Sequence, residues 1–200
     1  MINVQAMAHP VIWKGGRVFS VRLGSNVQHS KAHVSISNHQ SVGVHEITTR
    51  YDHWLMVQSN HLIKRFNGVG VQSNIYGFFG IGVDHLLKTQ PMIMHLGGQF
   101  DWETRRYLFM ANYHELFSGP FSNTTIHNVK MGEIRLGIAP YIGDYDDIHT
   151  WLMLQLTSYN DYRTSTASVM PVIRLFKGNI LVEFGTNLRN DFLITSMIHF

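Results

Sequence analysis

The sequence predicts an all-β protein, an antiparallel transmembrane β-barrel of ten to twelve strands, with eight strands still open. Three observations lead there. Turn signals cut the 200 residues into stretches of about 10 to 14 residues, the length that a tilted membrane strand needs. Within the better stretches apolar side chains alternate with polar or small ones, the two-residue period of a strand whose faces meet different surroundings. Only 14% of residues are charged, against about 25% in soluble domains, while glycine (17 residues) and aromatic side chains (12%) are plentiful.

Twelve segments can be drawn in order: 11–23, 27–37, 41–49, 53–66, 69–83, 91–102, 106–117, 126–140, 149–160, 166–177, 180–188 and 191–200. The second and third form a hairpin over the three-residue loop Asn38-His39-Gln40, which pairs Ser37 with Ser41 and sets His33 opposite His45. In the fifth, Ile75, Phe79, Ile81 and Val83 alternate with Asn74, Gly80 and Asp84; in the seventh, Tyr107, Phe109 and Tyr113 alternate with Met110, Asn112 and His114. The eighth sets Ile134, Leu136 and Ile138 against Glu133, Arg135 and Gly137. The ninth sets Leu152, Leu154 and Leu156 against Met153, Gln155 and Thr157.

The clearest turn is Lys177-Gly178-Asn179-Ile180, with Gly-Asn at the two central positions of a tight hairpin. Pairing Lys177 with Ile180 brings Arg174 opposite Glu183 on one face, opposite charges meeting across the ladder. Leu175 and Ile173 then meet Val182 and Phe184 on the other. A soluble sandwich alternates as well, but the inward ion pair favours a barrel with a polar lumen, in which Arg174, Glu183, Glu133 and Arg135 point inside. No apolar run approaches the roughly 20 residues of a membrane helix, and mean hydropathy is near zero.

The last segment places Phe192, Ile194, Ile198 and Phe200 on one face and ends on an aromatic residue. It resembles the final strand of bacterial outer-membrane barrels, which their assembly machinery reads as a C-terminal signal. That resemblance implies a Gram-negative outer membrane, contact with phospholipid and lipopolysaccharide, and periplasmic termini. Alternate connections support the topology: Gly178-Asn179, Asn67-Gly68, 103–105 and 38–40 are tight, whereas 86–90, 118–125 and 161–165 are longer; 141–148 is an exception. Trp13, Trp54, Trp102, Trp151, Tyr141 and Tyr162 fall near segment ends, where interfacial aromatics belong.

Three further blocks, 9–16 (HPVIWKGG), 101–106 (DWETRR) and 171–179 (PVIRLFKGN), resemble an uncharacterised proteobacterial family of small exported barrels. The resemblance implies a loose association with heavy-metal handling and assigns no residue a role. Ala6-Met7-Ala8 before His9 has the pattern of a signal-peptidase site, so residues 1–8 are expected to be the remnant of a signal peptide and 9–200 a single barrel domain.

Cysteine is absent, which removes disulfides and thiolate chemistry. The net charge of +3 is spread along the chain and forms no nucleic-acid patch. Thirteen histidines make metal worth weighing: His29, His33 and His45 share the polar face of one predicted hairpin, and two or three imidazoles there can hold copper or zinc. His33-Val34-Ser35 has the His-x-Ser spacing of outer-membrane lipid hydrolases, with Ser35 as nucleophile and His33 as base, but alternation with Val34 and Ile36 points the pair inward. The leading functional reading is a non-enzymatic outer-membrane barrel, either a narrow pore or a metal-linked surface component. A lipid hydrolase and a soluble barrel holding an apolar ligand are the alternatives.

Overall fold

A computed structural model describes residues 9–86, 91–118, 128–144 and 147–200. Twelve strands run in chain order: β1 (Arg17–Gly24), β2 (Val27–Ser35), β3 (Gln40–Thr49), β4 (His53–Gly68), β5 (Val71–Asp84), β6 (Met92–Thr104), β7 (Tyr107–Ser118), β8 (Val129–Ile138), β9 (His149–Asn160), β10 (Ser165–Lys177), β11 (Ile180–Thr186) and β12 (Phe192–His199). Each pairs antiparallel with its chain neighbours, and β1 pairs with β12 to close the ring. The count corrects the expected range. Ten or eight strands would require some hairpins to stand outside the wall, and all twelve lie within it. The proposed signal-peptide remnant at 1–8 lies outside the described residues.

The seam is continuous from Val18 paired with His199 to Gly24 paired with Leu193. Phe200 extends it beyond β12, its N–H donating to the Arg17 carbonyl at 2.9 Å while Arg17 returns a bond to the Phe200 carbonyl at 3.0 Å. The β10–β11 hairpin has the expected register, with Lys177 opposite Ile180 and Arg174 opposite Glu183. Its turn places Gly178 at φ 57°, a left-handed conformation that glycine adopts without steric cost.

The wall inverts the polarity of a soluble barrel. On β11 Glu183 is 1% exposed and the next residue, Phe184, is 50% exposed. Ile134, Leu136, Ile138, Leu152, Leu154 and Ile173 likewise face outward, and Asn60, Asn74, Gln58, Gln155, Arg135 and Arg174 are buried inside. Phe192, Ile194 and Phe200 are exposed on this outer surface and Ile198 is half-buried. Hydrophobic residues normally leave water on folding; here they coat the outside, which is favourable where the outside is hydrocarbon.

Two expectations change, and one irregularity is added. Residues 11–16 do not begin the first strand: Val11 is buried inside the ring, Trp13 to Gly15 are exposed, Gly15 and Gly16 bond to the Ser35 backbone, and β1 starts at Arg17. Trp54 and Trp151 are not girdle residues but buried in the interior, the indole Nε1–H of Trp54 donating to Asp84 Oδ2 at 3.1 Å. Their parity shows why, since Trp54 shares a face with Met56 and Gln58, and Trp151 with Met153 and Gln155. Finally, the ladder between β4 and β5 slips between Leu62 and Lys64. The bulge restores Arg65 to the inner face, where its Nε–H donates to Asn74 Oδ1 at 2.7 Å.

Candidate functional site

Strand alternation delivers two chains of polar side chains into the lumen. The first consists of ion pairs on β1, β8, β10 and β11. Glu183 Oε1 accepts from Arg174 Nε at 2.7 Å and from Arg135 Nη1 at 2.8 Å. Arg135 Nε lies 2.8 Å from Glu133 Oε1, and Glu133 Oε2 pairs with Arg22 of β1. Since β1 stands five strands from β8 around the ring, this last pair crosses the lumen. All four lumen residues expected from the sequence, Arg174, Glu183, Glu133 and Arg135, thus belong to one network; Arg22 was missed, although its parity on the first segment was available. Burying these ions costs desolvation, which the doubled partners of each carboxylate offset.

The second chain is imidazole. His29 Nδ1 lies 3.2 Å from His45 Nε2, and His45 Nδ1 lies 2.6 Å from Gln58 Oε1. His45 meets His95 edge to face with ring centroids 6.0 Å apart, and His95 Nε2 lies 3.0 Å from His114 Nδ1. The chain therefore runs from β2 and β3 across to β6 and β7. His114 stacks in turn on Phe78 at 5.4 Å. Gly97 makes the room, because a Cβ there would stand 2.9 Å from His114 Nδ1 and 2.7 Å from the Tyr113 carbonyl.

The predicted register of the β2–β3 hairpin is two residues off. Ser35, not Ser37, pairs with Ser41, so that His33 faces Gly43 and Lys31 faces His45. The connection is residues 36–39, closed by the Ile36 N–H donating to the Gln40 carbonyl at 3.0 Å. A two-residue shift preserves the face and changes the neighbours: His29 joins His45, and His33 does not. His33 lies on the lumen side with its buried Nε2 unpartnered among the described residues.

Residues 9–12 fill one end of the ring. Val11 is 1% exposed and packs with Leu62, Tyr76 and Phe78. The Pro10 carbonyl accepts from Ser41 Oγ at 2.7 Å, the Ile12 N–H donates to Ser35 Oγ at 3.0 Å, and Tyr76 Oη meets His9 Nδ1 at 3.0 Å. Ser35 therefore faces the interior and supports this segment, and no hydrogen bond joins it to His33 among the described residues. Beyond the segment lies a cavity of about 260 Å³. Arg22, Lys31, Arg135 and Arg174 line it against the carboxylates of Glu133, Glu183 and Asp191, an excess of positive charge. The Lys31 ammonium makes no hydrogen bond or ion pair among the described residues. Gln155 Oε1 and Thr195 Oγ1, both in the cavity wall, are buried without a partner there.

No family model and no curated protein matches the chain. Among solved structures it is similar to the KdgM porin in complex with disordered oligogalacturonate, at 10% identity and TM-score 0.54 over 92% of this chain and 98% of that one. It also matches OmpT of Vibrio cholerae at 6% identity and TM-score 0.43, covering 93% and 98% of the two chains. A third match is OccK8 of Pseudomonas aeruginosa, at 7% identity and TM-score 0.40, covering 87% and 57%. The first likeness is one of fold, a closed antiparallel barrel; the other two are too distant to add to it.

Proposed function

We propose that the chain is a bacterial outer-membrane barrel, in contact with phospholipid and lipopolysaccharide, whose narrow lumen takes small anionic, hydroxyl-bearing solutes. The carrying observation is the inversion of polarity: an apolar outer wall encloses a lumen in which the arginines and Lys31 outnumber the carboxylates around the cavity. Glu133 and Glu183 are taken up by their own guanidiniums, which leaves Lys31, among the described residues that line the cavity, as a cation free to meet a carboxylate or phosphate. The unpartnered Gln155 and Thr195 oxygens suit the hydroxyl groups of the same solute. The fold shared with a porin in complex with oligogalacturonate is consistent with this reading. Passage is narrow because the Arg22–Glu133 pair crosses the lumen and residues 9–12 fill one end. An apolar-ligand barrel would carry the opposite lining, and an inward Ser35 that supports Ile12 lends a lipid hydrolase nothing.

The experiment is ion conduction by the refolded protein in planar lipid bilayers under a potassium chloride gradient, beside Val11→Asn. The wild type gives small conductance steps with a reversal potential of the anion-selective sign, and Val11→Asn, which loosens residues 9–16, enlarges the steps. A cation-selective sign, or silence from both proteins, would refute the proposal.

A further inference from the structure

The imidazole chain plays no part in the reading above, and it is expensive to build: His45, His95 and His114 are buried and His29 is half-buried, four rings from four strands with no carboxylate in contact among the described residues. Its geometry has the spacing of a ligand set. Two imidazole nitrogens bound to one zinc or copper ion at about 2.0–2.1 Å in a tetrahedral shell stand about 3.3 Å apart. The facing nitrogens of His29 and His45 are 3.2 Å apart, and those of His95 and His114 are 3.0 Å apart. The outer contact is of the kind that orients metal-binding histidines. Gln58 Oε1 accepts from His45 Nδ1–H at 2.6 Å, while the amide of Gln58 donates to Asn60 Oδ1 at 2.5 Å and so fixes which way it points. His45 therefore presents its Nε2 lone pair to His29. On the other pair, His95 Nδ1 is buried and unpartnered among the described residues.

We infer that the imidazole chain is a transition-metal site, with the His29–His45 pair as the primary ligands of a copper(II) or zinc(II) ion that enters from the cavity. His29 and His114 line that cavity, so both pairs can be reached from it. Binding at the first pair requires only that His29 shift its proton from Nδ1 to Nε2, which frees the second lone pair; no oxidation or reduction is involved. Among the described residues no three metal-binding groups converge on one point. The ion is accordingly held by a pair, with solvent or solute oxygens completing its shell, and its affinity is modest. The site stands whether or not the lumen conducts.

The test is calorimetric titration of copper(II) and zinc(II) into the refolded protein, with His29→Asn/His45→Gln as the site variant and His39→Ala/His61→Ala as the surface control. The expected result is micromolar binding by the wild type and the control, and at least a tenfold loss in the site variant. Copper(II) electron paramagnetic resonance on the wild type carries the test if the site variant fails to fold, with splitting from imidazole nitrogens expected. Absence of binding at 100-fold molar excess, equal binding by wild type and site variant, loss confined to the surface control, or a copper spectrum without nitrogen splitting would each overturn the inference.

Discussion

Replacing Glu183 by Gln keeps the shape of the side chain and removes one charge from the centre of the ion-pair network. Glu183 is 1% exposed and holds two guanidiniums with nitrogen–oxygen distances of 2.7 and 2.8 Å. With charge centres about 4 Å apart, each pair is worth about 4 kcal/mol at an effective dielectric constant near 20. Against this stand the hydrogen bonds that the amide oxygen still accepts, the water that the cavity can supply to the guanidiniums, and the desolvation cost no longer borne by the carboxylate. The net loss is about 3–5 kcal/mol, the usual result of removing one partner from a buried pair. Equilibrium urea unfolding in phospholipid vesicles, followed by tryptophan fluorescence, measures it. Glu115→Gln is the internal comparison. Its ion pair with Lys130 is looser, 3.8 Å, with the lysine half exposed, and its loss costs below about 1 kcal/mol. A Glu183→Gln effect as small as that of Glu115→Gln would refute the picture of an interdependent network. Adding Arg174→Met to Glu183→Gln recovers part of the loss, since the stranded charge leaves with its partner.

Gly43→Ala would place a methyl group 1.9 Å from the Ala32 carbonyl oxygen and 2.5 Å from His33 Cδ2; backbone must move, and the urea midpoint falls by the equivalent of about 1–3 kcal/mol. Asp161, in the loop between β9 and β10, reports on pH. Burial alone would raise its carboxyl, but the N–H groups of Thr164 and Arg163 and the Tyr159 hydroxyl outweigh that and hold it below the usual 3.8. A lowered folded value means that its contribution is fully present above pH 3.8 and disappears as pH falls through the folded value. The stability gap between wild type and Asp161→Asn is therefore constant near neutrality and shrinks below pH 3.8; a gap that widens in acid would contradict this. Deleting Phe200 removes the two bonds to Arg17 that extend the seam, and membrane insertion in cells is expected to fall more than refolding into detergent micelles; equal losses in the two assays would remove its role as an assembly signal.

Alternation made the two faces legible because the strand period is two and the faces meet different media. The β10–β11 register was legible because Gly-Asn admits one tight turn. The β2–β3 register was not, because residues 36–39 hold neither glycine nor proline, and pairing Ser41 with Ser37 or with Ser35 leaves three or five residues between the partners and the same side chains on each face. The imidazole chain was half visible for the same reason: parity placed His114 with Met110 and Asn112, but only the registers of β2–β3 and β6–β7 bring the four rings together. Arg65 was beyond a pattern reading, since a bulge reverses parity without a marker in composition. The inward course of residues 9–12 was hidden because Val11, Ile12 and Trp13 read as the start of a strand.

That inward course has a kinetic consequence. Residues 9–12 lead through 13–16 directly into β1, and β1 completes the ring by pairing with β12. Seated while the wall is still an open, curling sheet, the segment need not enter later through the mouth of the finished cylinder. Packing of Val11 against Leu62, Tyr76 and Phe78 and zipping of the β1–β12 seam are then one cooperative step. The interior segment acts as a mandrel around which the sheet rolls, and weakening its contacts slows closure of the barrel before it alters the finished wall.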